Sequence, residues 1–159
     1  MRLWLVRHAK PLVEAGTCYG ALDIAADGHA TLQAAQSLAQ ALPRQAVLCS
    51  SPLQRCTALA AALCTLRDDL TFTTDNRLRE MDFGAWEGRR WDALGAAELQ
   101  AWTDNFAHHC PGGGESVHGF MARVTRVWDE TRSRGPDAVW ITHAGVIRAA
   151  MLLHTGRVP

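Results

Sequence analysis

The sequence predicts a three-layer α/β/α sandwich around a mainly parallel central sheet. Three observations support this fold class: 159 residues suffice for one domain, 48% of them are hydrophobic and 20% charged, and short apolar runs alternate with longer segments of helical spacing. We expect a single domain over residues 1–159, with an excursion over the functional edge of the sheet at about 84–114.

The first half of the chain predicts two strands and two helices in alternation. Leu3–Val6 is an apolar run of strand length, and Asp27 is the predicted N-cap of a helix that Pro43 ends. Ala46–Cys49 predicts the second strand. The helix after it is expected over Pro52–Leu66, with a serine cap and a proline in its first position. This alternation is typical of a parallel sheet that is covered on both faces.

The second half continues the alternation after a looser stretch. Leu70–Thr73 predicts a short edge strand, and some helix is expected around Ala96–Ala107. Apolar residues recur at helical spacing over Val117–Trp128, which predicts the most regular helix of the chain. Ala138–Thr142 predicts the last strand, and a final helix is expected to reach about His154.

Composition and charge exclude several classes of function. Sixteen basic and sixteen acidic side chains give a net charge of zero, which argues against nucleic-acid and membrane partners. Fifteen of the basic residues are arginine, whose planar donor group suits phosphate or carboxylate. The five cysteines form no C-x-x-C pair and predict reduced thiols in a cytoplasmic protein. No apolar run is long enough for a signal peptide or a membrane span.

Polar residues follow the first and the last predicted strand. Ligands of open parallel sheets bind beyond the carboxyl ends of strands, where Arg7–Ala9 and Thr142–Gly145 each bring a histidine. These histidines either lie side by side against one ligand or are unrelated polar residues at strand ends. Arg55 lies in the first turn of the second helix, as a further anion donor or as a solvated surface arginine. Together with the N–H groups that open the last helix, this set suits a phosphoryl group.

Five sequence blocks occur in a fixed order along the chain. They are Leu5–Ala9, Ser50–Arg55, Leu78–Gly88, Gly114–Ser116 and Thr142–Arg148. In this order they resemble the histidine phosphatase superfamily, in its phosphoglycerate-mutase-like branch. Gly16–Asp23 further resembles a loop of the alpha-ribazole phosphatases, which serve cobalamin biosynthesis. The resemblance implies a phosphoglycerate-mutase-like fold and a phosphomonoesterase that needs neither metal nor cofactor and acts on a small phosphorylated metabolite.

The resemblance also implies roles for particular residues. His8 would be the nucleophile that is transiently phosphorylated, and Glu80 would protonate the leaving oxygen, with Asp82 as the alternative acid. Further phosphate or substrate contacts would come from Arg7, Arg55, His143, Ala144, Gly145, Tyr19 and Gly20. A phosphoglycerate-type mutase and a catalytically inert phosphate-ligand binding module remain as alternatives.

The chain departs from the family pattern in three places. Ala9 stands where the family has glycine, which is harmless if the φ angle of this residue is negative. Glu14 stands where many members have asparagine, so a phosphate contact is either absent or supplied by the Cys18–Gly20 loop. The chain also ends soon after the last block, where relatives continue. A bare sheet edge or helix face is therefore expected, and either a homodimer or a weakened core would be its consequence.

Two other groups of residues have ordinary structural interpretations. The histidines around Cys110 match no zinc-binding spacing, so no metal site is predicted there. Four aromatic residues either stack on a base or sugar of the substrate or simply pack the excursion against the sheet. They are Tyr19, Trp86, Trp91 and Trp102.

Overall fold

The computed structural model describes residues 1–157, which are built around a parallel sheet. Its strands are β1 (Leu3–Arg7), β2 (Val47–Ser50), β3 (Phe72–Thr74) and β4 (Ala138–Thr142), and they lie in the order β1-β4-β2-β3. All their pairings are parallel, as predicted. Val158 and Pro159, the end of the predicted domain, lie outside the described residues. β1 is an edge strand, and the homodimer stays a prediction.

Helices cover both faces of the sheet. They are α1 (Gly28–Ala41), α2 (Gln54–Leu66), α3 (Ala96–Asp104), α4 (Val117–Arg134) and α5 (Ala144–Thr155). The side chains of β4 alternate between two cores: Val139 and Ile141 pack with α1 and α2, whereas Trp140 packs with α4 and α5. This arrangement confirms the predicted three-layer α/β/α sandwich.

The strand order brings the two histidine-bearing ends together. β1 and β4 are hydrogen-bonded neighbours in which Arg7 lies opposite Thr142. His8 and His143 therefore follow at the same edge of the sheet, and the His8 N–H donates to the Thr142 carbonyl at 3.2 Å. The apolar residues of both strands thus determine where the two imidazoles lie.

The helix α2 begins later than the sequence predicts. Its first residue is Gln54 rather than Pro52, and its N-cap is Leu53, which offers no side-chain cap. The Asp23 carboxylate instead accepts the Gln54 N–H at 2.7 Å. The Ser51 hydroxyl, free of a capping role on the helix, accepts the Leu53 N–H at 3.3 Å. A residue from a distant loop therefore performs the role that sequence reasoning assigned to a local serine.

The segment 84–114 consists of three short 3-10 turns and α3. Trp86 and Leu94 of this segment are buried and pack against Cys18. Two of its turns approach closely at Gly112, where φ is 62° and an added Cβ would collide with the Phe83 carbonyl oxygen. Glycine there allows the segment to fold onto itself while it remains joined to the loop around Cys18.

Several features outside the functional edge bear on the sequence predictions. Within residues 1–157, no helix is long and apolar enough to cross a membrane. The five cysteines are free thiols, with Cys56 buried and Cys110 exposed. His108 and His118 lie with ring centroids 5.2 Å apart. The described residues contain no group of three or more His, Cys, Asp or Glu side chains that could hold a metal ion.

Candidate active site

His8 has the geometry of a neutral nucleophile. Its side chain is only 7% exposed, and Nδ1 lies 2.7 Å from the Ala9 carbonyl oxygen. Because a carbonyl only accepts, Nδ1 must carry the proton and Nε2 keeps its lone pair. Burial lowers the pKa of His8 to about 4, opposed by the Ala9 hydrogen bond and helped by the charges of Arg55 and Arg7. The imidazole is therefore uncharged at neutral pH.

His143 lies beside His8 and is oriented by a serine. The ring centroids are 5.2 Å apart, and His143 Nε2 lies 2.8 Å from Ser51 Oγ. Burial, followed by the charges of Arg55 and His8, lowers the pKa of His143 to about 2, so this ring is neutral as well. Ser51 Oγ accepts the Leu53 N–H, and Cys56 Sγ lies 3.6 Å from His143 Nε2. We assign the Ser51 proton to His143 Nε2, which places the ring proton on Nδ1. Sequence reasoning had considered Ser51 only as a helix cap.

Four buried side-chain nitrogens have no partner in residues 1–157. His143 Nδ1 and Arg55 Nε belong to this edge, Trp102 Nε1 belongs to another residue of the same cavity wall, and the fourth is Trp4 Nε1. Arg55 is fully buried, and its Nη1 and Nη2 donate to the Leu22 and Gly20 carbonyls at 2.7 Å each. The guanidinium also lies 5.4 Å from the centroid of the Tyr19 ring. The loop around Gly20 therefore fixes the orientation of Arg55, and Gly20 acts through its carbonyl rather than as part of the cavity wall.

Glu80 is held by two backbone N–H groups. Met81 donates to Oε1 and Gly145 donates to Oε2, each at 3.0 Å. A Cβ on Gly145 would collide with the Glu80 carboxylate, so only glycine permits this approach. The Gly145 N–H, which was expected to contact the phosphoryl group, is therefore engaged by Glu80. The start of α5 positions the expected acid instead of binding the substrate with that group.

Asp82, the alternative acid, lies away from the histidines. Its carboxylate accepts the Gly84 N–H at 2.8 Å. It lines a separate polar cavity of about 420 Å³, together with Arg79 and Arg123. Glu80 lines both this cavity and the one that contains His8, so the geometry favours Glu80 over Asp82.

The expected site residues meet in one cavity of about 540 Å³. They are Arg7, His8, Tyr19, Arg55, Glu80, His143, Ala144 and Gly145; of the expected set, Gly20 alone does not line this wall. One carboxylate, two neutral imidazoles and the guanidinium groups of Arg7 and Arg55 thus surround a common space, whose wall also includes Arg148. This combination can stabilise a negatively charged phosphoryl group while a neutral nitrogen attacks it.

The rest of the cavity wall is mainly apolar, and sequence reasoning missed most of it. Trp91 and Trp102 line the cavity, where a base or sugar of the substrate could contact them. Trp86 is buried away from the cavity and has a packing role. Further lining residues that the sequence did not single out are Phe83, Phe106, Val117, Phe120, Met121, Arg148, Ala149 and Leu152. Helical spacing identified several of them as inward-facing, but spacing cannot distinguish a core from a cavity wall.

The departures from the family pattern have local explanations. Among the described non-glycine residues, only Gln45 has a positive φ, so Ala9 is unstrained in place of glycine. Glu14 forms an ion pair with Arg90 at 3.0 Å and does not line the cavity. Neither substitution disturbs the groups that surround His8.

Comparison with known proteins gives concordant matches. The sequence profile of the histidine phosphatase superfamily (branch 1) matches residues 3–158. A protein of Hydrogenobacter thermophilus named "Putative phosphoserine phosphatase 2" is 32% identical, over 98% of this chain and 79% of its own length. The solved alpha-ribazole phosphatase from Shigella flexneri has a TM-score of 0.85 at 26% identity, covering 99% of this chain and 81% of its own. A phosphoglycerate mutase structure from Thermus thermophilus has a TM-score of 0.75 at 33% identity, covering 94% and 81% respectively.

Proposed function

Because the chain belongs to the histidine phosphatase superfamily (branch 1), we propose that it is a metal-independent phosphomonoesterase that acts through a phosphohistidine at His8. One observation carries this proposal: the buried donors Arg55 Nε and His143 Nδ1 lack partners in the described chain and belong to residues that line the same cavity as His8. A buried donor without a partner destabilises the fold by roughly 1–3 kcal/mol. Phosphoryl oxygens would satisfy both donors.

The proposed reaction has two steps. His8 Nε2 attacks phosphorus in line; the P–N bond forms, the P–O bond of the ester breaks, and Glu80 gives its proton to the leaving oxygen. Arg7, Arg55 and His143 neutralise the negative charge on the transferred group, which is the task that a metal ion performs in other phosphotransferases. Water then attacks the phosphorus of the phosphohistidine and gives a proton to Glu80; the new P–O bond forms as the P–N bond breaks, and the electron pair of that bond returns to Nε2. Inorganic phosphate leaves, and His8 is again neutral.

The proposed substrate is alpha-ribazole 5′-phosphate, in the cytoplasm. The resemblance of Gly16–Asp23 to the loop of alpha-ribazole phosphatases supports this choice, as does the likeness to the Shigella enzyme. In this chain the loop supplies Tyr19 to the cavity and the carbonyls that hold Arg55. Five free thiols fit a reducing compartment.

A mutase is the second candidate, because the Thermus phosphoglycerate mutase is among the structures that resemble this chain. A mutase must return the phosphoryl group to an acceptor and keep water out. An inert binding module is the third, and it would retain phosphate affinity without forming a covalent intermediate.

The test is release of phosphate from p-nitrophenyl phosphate in the presence of EDTA. We expect turnover in the parent protein and in His29→Ala, whose exposed histidine lies outside the cavity. We expect none in His8→Ala. A brief mix with substrate and an alkaline quench should trap base-stable, acid-labile phosphate on His8.

Each rival predicts a different result. A mutase would pass the trapped phosphoryl group to an added alcohol or phosphoglycerate acceptor faster than to water. An inert module would form no covalent intermediate. A metallophosphatase would lose activity in EDTA, and label on serine, cysteine or aspartate would reject the proposed nucleophile.

A further inference from the structure

The wall of the catalytic cavity includes aromatic side chains that the proposed chemistry does not use. Besides Tyr19, which contacts Arg55, they are Phe83, Trp91, Trp102, Phe106 and Phe120. We call these five residues the aromatic arm. We infer that the aromatic arm binds the leaving group, and that the preferred substrates are phosphate monoesters of alcohols that carry a flat, uncharged ring system. The inference rests on the proposed function, since it describes the other half of the same substrate.

The members of the aromatic arm include a connected set of rings. Phe83 contacts Trp91 and Trp102 edge to face, with centroid distances of 5.5 and 6.0 Å. Trp102 is stacked on Phe106 with centroids 5.5 Å apart. Edge-to-face and stacked pairs are the geometries that aromatic rings prefer, so a ring of the substrate would find the same kinds of partner here.

Two side chains of the aromatic arm remain exposed, although segment 84–114 does not need them to be exposed in order to fold. Trp91 is 36% and Phe106 50% exposed, although both belong to a segment that already has a core of its own. That core consists of Trp86 and Leu94 packed on Cys18. Scattered exposed apolar residues are common, but these two lie on the wall of a single cavity with His8. A ring-bearing substrate would remove their surface from water, and this burial would stabilise the complex.

The charges around the arm disfavour small zwitterionic substrates. Among the described residues that line the cavity, Glu80 is the sole carboxylate, and the proposed mechanism occupies it. Arg148 is an exposed cation of the same wall. The ammonium group of phosphoserine would find no free carboxylate, although its own carboxylate could pair with Arg148, and its short side chain would leave the aromatic rings in water. A neutral ring avoids both penalties.

The binding experiment uses phosphonates, which His8 cannot cleave. Naphthylmethylphosphonate and methylphosphonate present the same anion to the catalytic groups and differ in the ring alone. We expect the naphthyl compound to bind at least about tenfold more tightly and to change the tryptophan fluorescence. Calorimetry measures both affinities without any turnover.

The kinetic experiment compares naphthylethyl phosphate with ethyl phosphate and phosphoserine, all esters of primary alcohols. We expect the highest kcat/KM for the naphthylethyl ester. Trp91→Ala and Phe106→Ala should each lower the ratio of kcat/KM between naphthylethyl and ethyl phosphate by about tenfold. Leu32→Ala, which truncates an exposed apolar residue on α1 outside the cavity, should leave the ratio at the parental value.

The outcomes separate this inference from the proposed function. Equal affinity for the two phosphonates, or a preference for phosphoserine, would show that the aromatic arm does not bind the leaving group. Neither result would contradict the formation of a phosphohistidine. Tighter binding of naphthylmethylphosphonate that depends on Trp91, in a protein that forms no phosphohistidine, would support the arm and reject the phosphatase. A ratio that fell equally in Leu32→Ala would show that the substitutions act through general destabilisation, and it too would overturn the arm.

Discussion

The Ser51 hydroxyl determines which nitrogen of His143 carries the proton. In Ser51→Ala the Nε2 atom keeps only the longer contact to Cys56 Sγ at 3.6 Å, so the proton is free to move from Nδ1 to Nε2, and the phosphoryl oxygen then meets a lone pair instead of an N–H group. We expect kcat/KM to fall roughly 5- to 100-fold, the loss that follows when a buried group loses its partner. Nitrogen chemical shifts of the ring should report Nδ1–H in the parent and a mixture in the variant.

Two further variants distinguish this effect from general damage. Ser51→Thr keeps the hydroxyl and should restore both activity and tautomer. Ser50→Ala removes a neighbouring buried hydroxyl that donates to the Ser51 carbonyl and does not contact His143. An equal loss in Ser50→Ala, or an unchanged tautomer in Ser51→Ala, would contradict the assignment.

Glu80 is expected to act on the leaving oxygen in the first step. Glu80→Gln keeps the size and one of the two backbone N–H contacts but has no proton to transfer, so kcat/KM for alkyl phosphates should fall about 10²–10⁴-fold. Aryl phosphates should lose much less, because a phenolate leaves without protonation. Since kcat/KM reports steps through the first irreversible one, dephosphorylation does not mask the difference. Equal losses for both ester types, with a selective loss in Asp82→Asn, would transfer the role to Asp82.

At the scale of elements, the sequence predicted correctly the strands and helices whose buried side chains follow the apolar periodicity. β4 and α4 begin and pack where their patterns indicate. The predicted start of α2 was wrong by two residues, because Asp23 caps it from a loop that no local pattern connects to it. The contact between Gly145 and Glu80 was missed for the same reason: it joins the first turn of α5 to a residue 65 positions earlier in the chain.

A substitution in the first turn of α5 tests the contact between Gly145 and Glu80 directly. In Gly145→Ala the added methyl group would occupy the space of the Glu80 carboxylate, so Glu80 must move. We expect a selective loss of kcat/KM for alkyl phosphates, similar in pattern to Glu80→Gln. Stability should change little or rise, since alanine favours a helix by about 1 kcal/mol over glycine. Thermal unfolding and the ratio between alkyl and aryl esters measure the two effects.

The matched control is Gly28→Ala in the first turn of α1. A Cβ there would meet no atom within 4 Å, so the same substitution should improve helix stability without touching the site. An alkyl-to-aryl ratio that stayed parental in Gly145→Ala would show that the approach of Gly145 does not position Glu80.

At the scale of the whole molecule, the proximity of the residues around His8 could be predicted and the aromatic arm could not. The residues around His8 largely follow strands, and neighbouring strands bring them together whatever their loops do. The aromatic arm combines a turn, α3 and α4, and its shape depends on how segment 84–114 folds over the sheet. Periodicity gives the inward face of each element but not the space left between elements.

Two neutral buried histidines should make the stability of the whole fold depend on pH. The pKa of His8 is lowered to about 4 and that of His143 to about 2, whereas both return to about 6.5 in the unfolded chain. Below pH 6.5 the unfolded state therefore binds protons that the folded state does not, and the free energy of unfolding must fall as the pH is lowered. The slope should approach about 1.4 kcal/mol per pH unit for each histidine.

Urea unfolding at intervals between pH 7 and pH 4.5 measures this slope. Asp69 and the other carboxylates with lowered pKa values titrate near pH 4 in the unfolded chain, so their contribution begins below most of this window. His8→Gln removes one of the two groups and should halve the slope, while it stabilises the fold at pH 5 relative to the parent. A stability that stayed constant down to pH 4.5 would mean that the histidines titrate in the folded protein as they do in the unfolded chain, near pH 6.5. His8 would then be a cation below that pH, where Nε2 would lack the lone pair that attack on phosphorus requires.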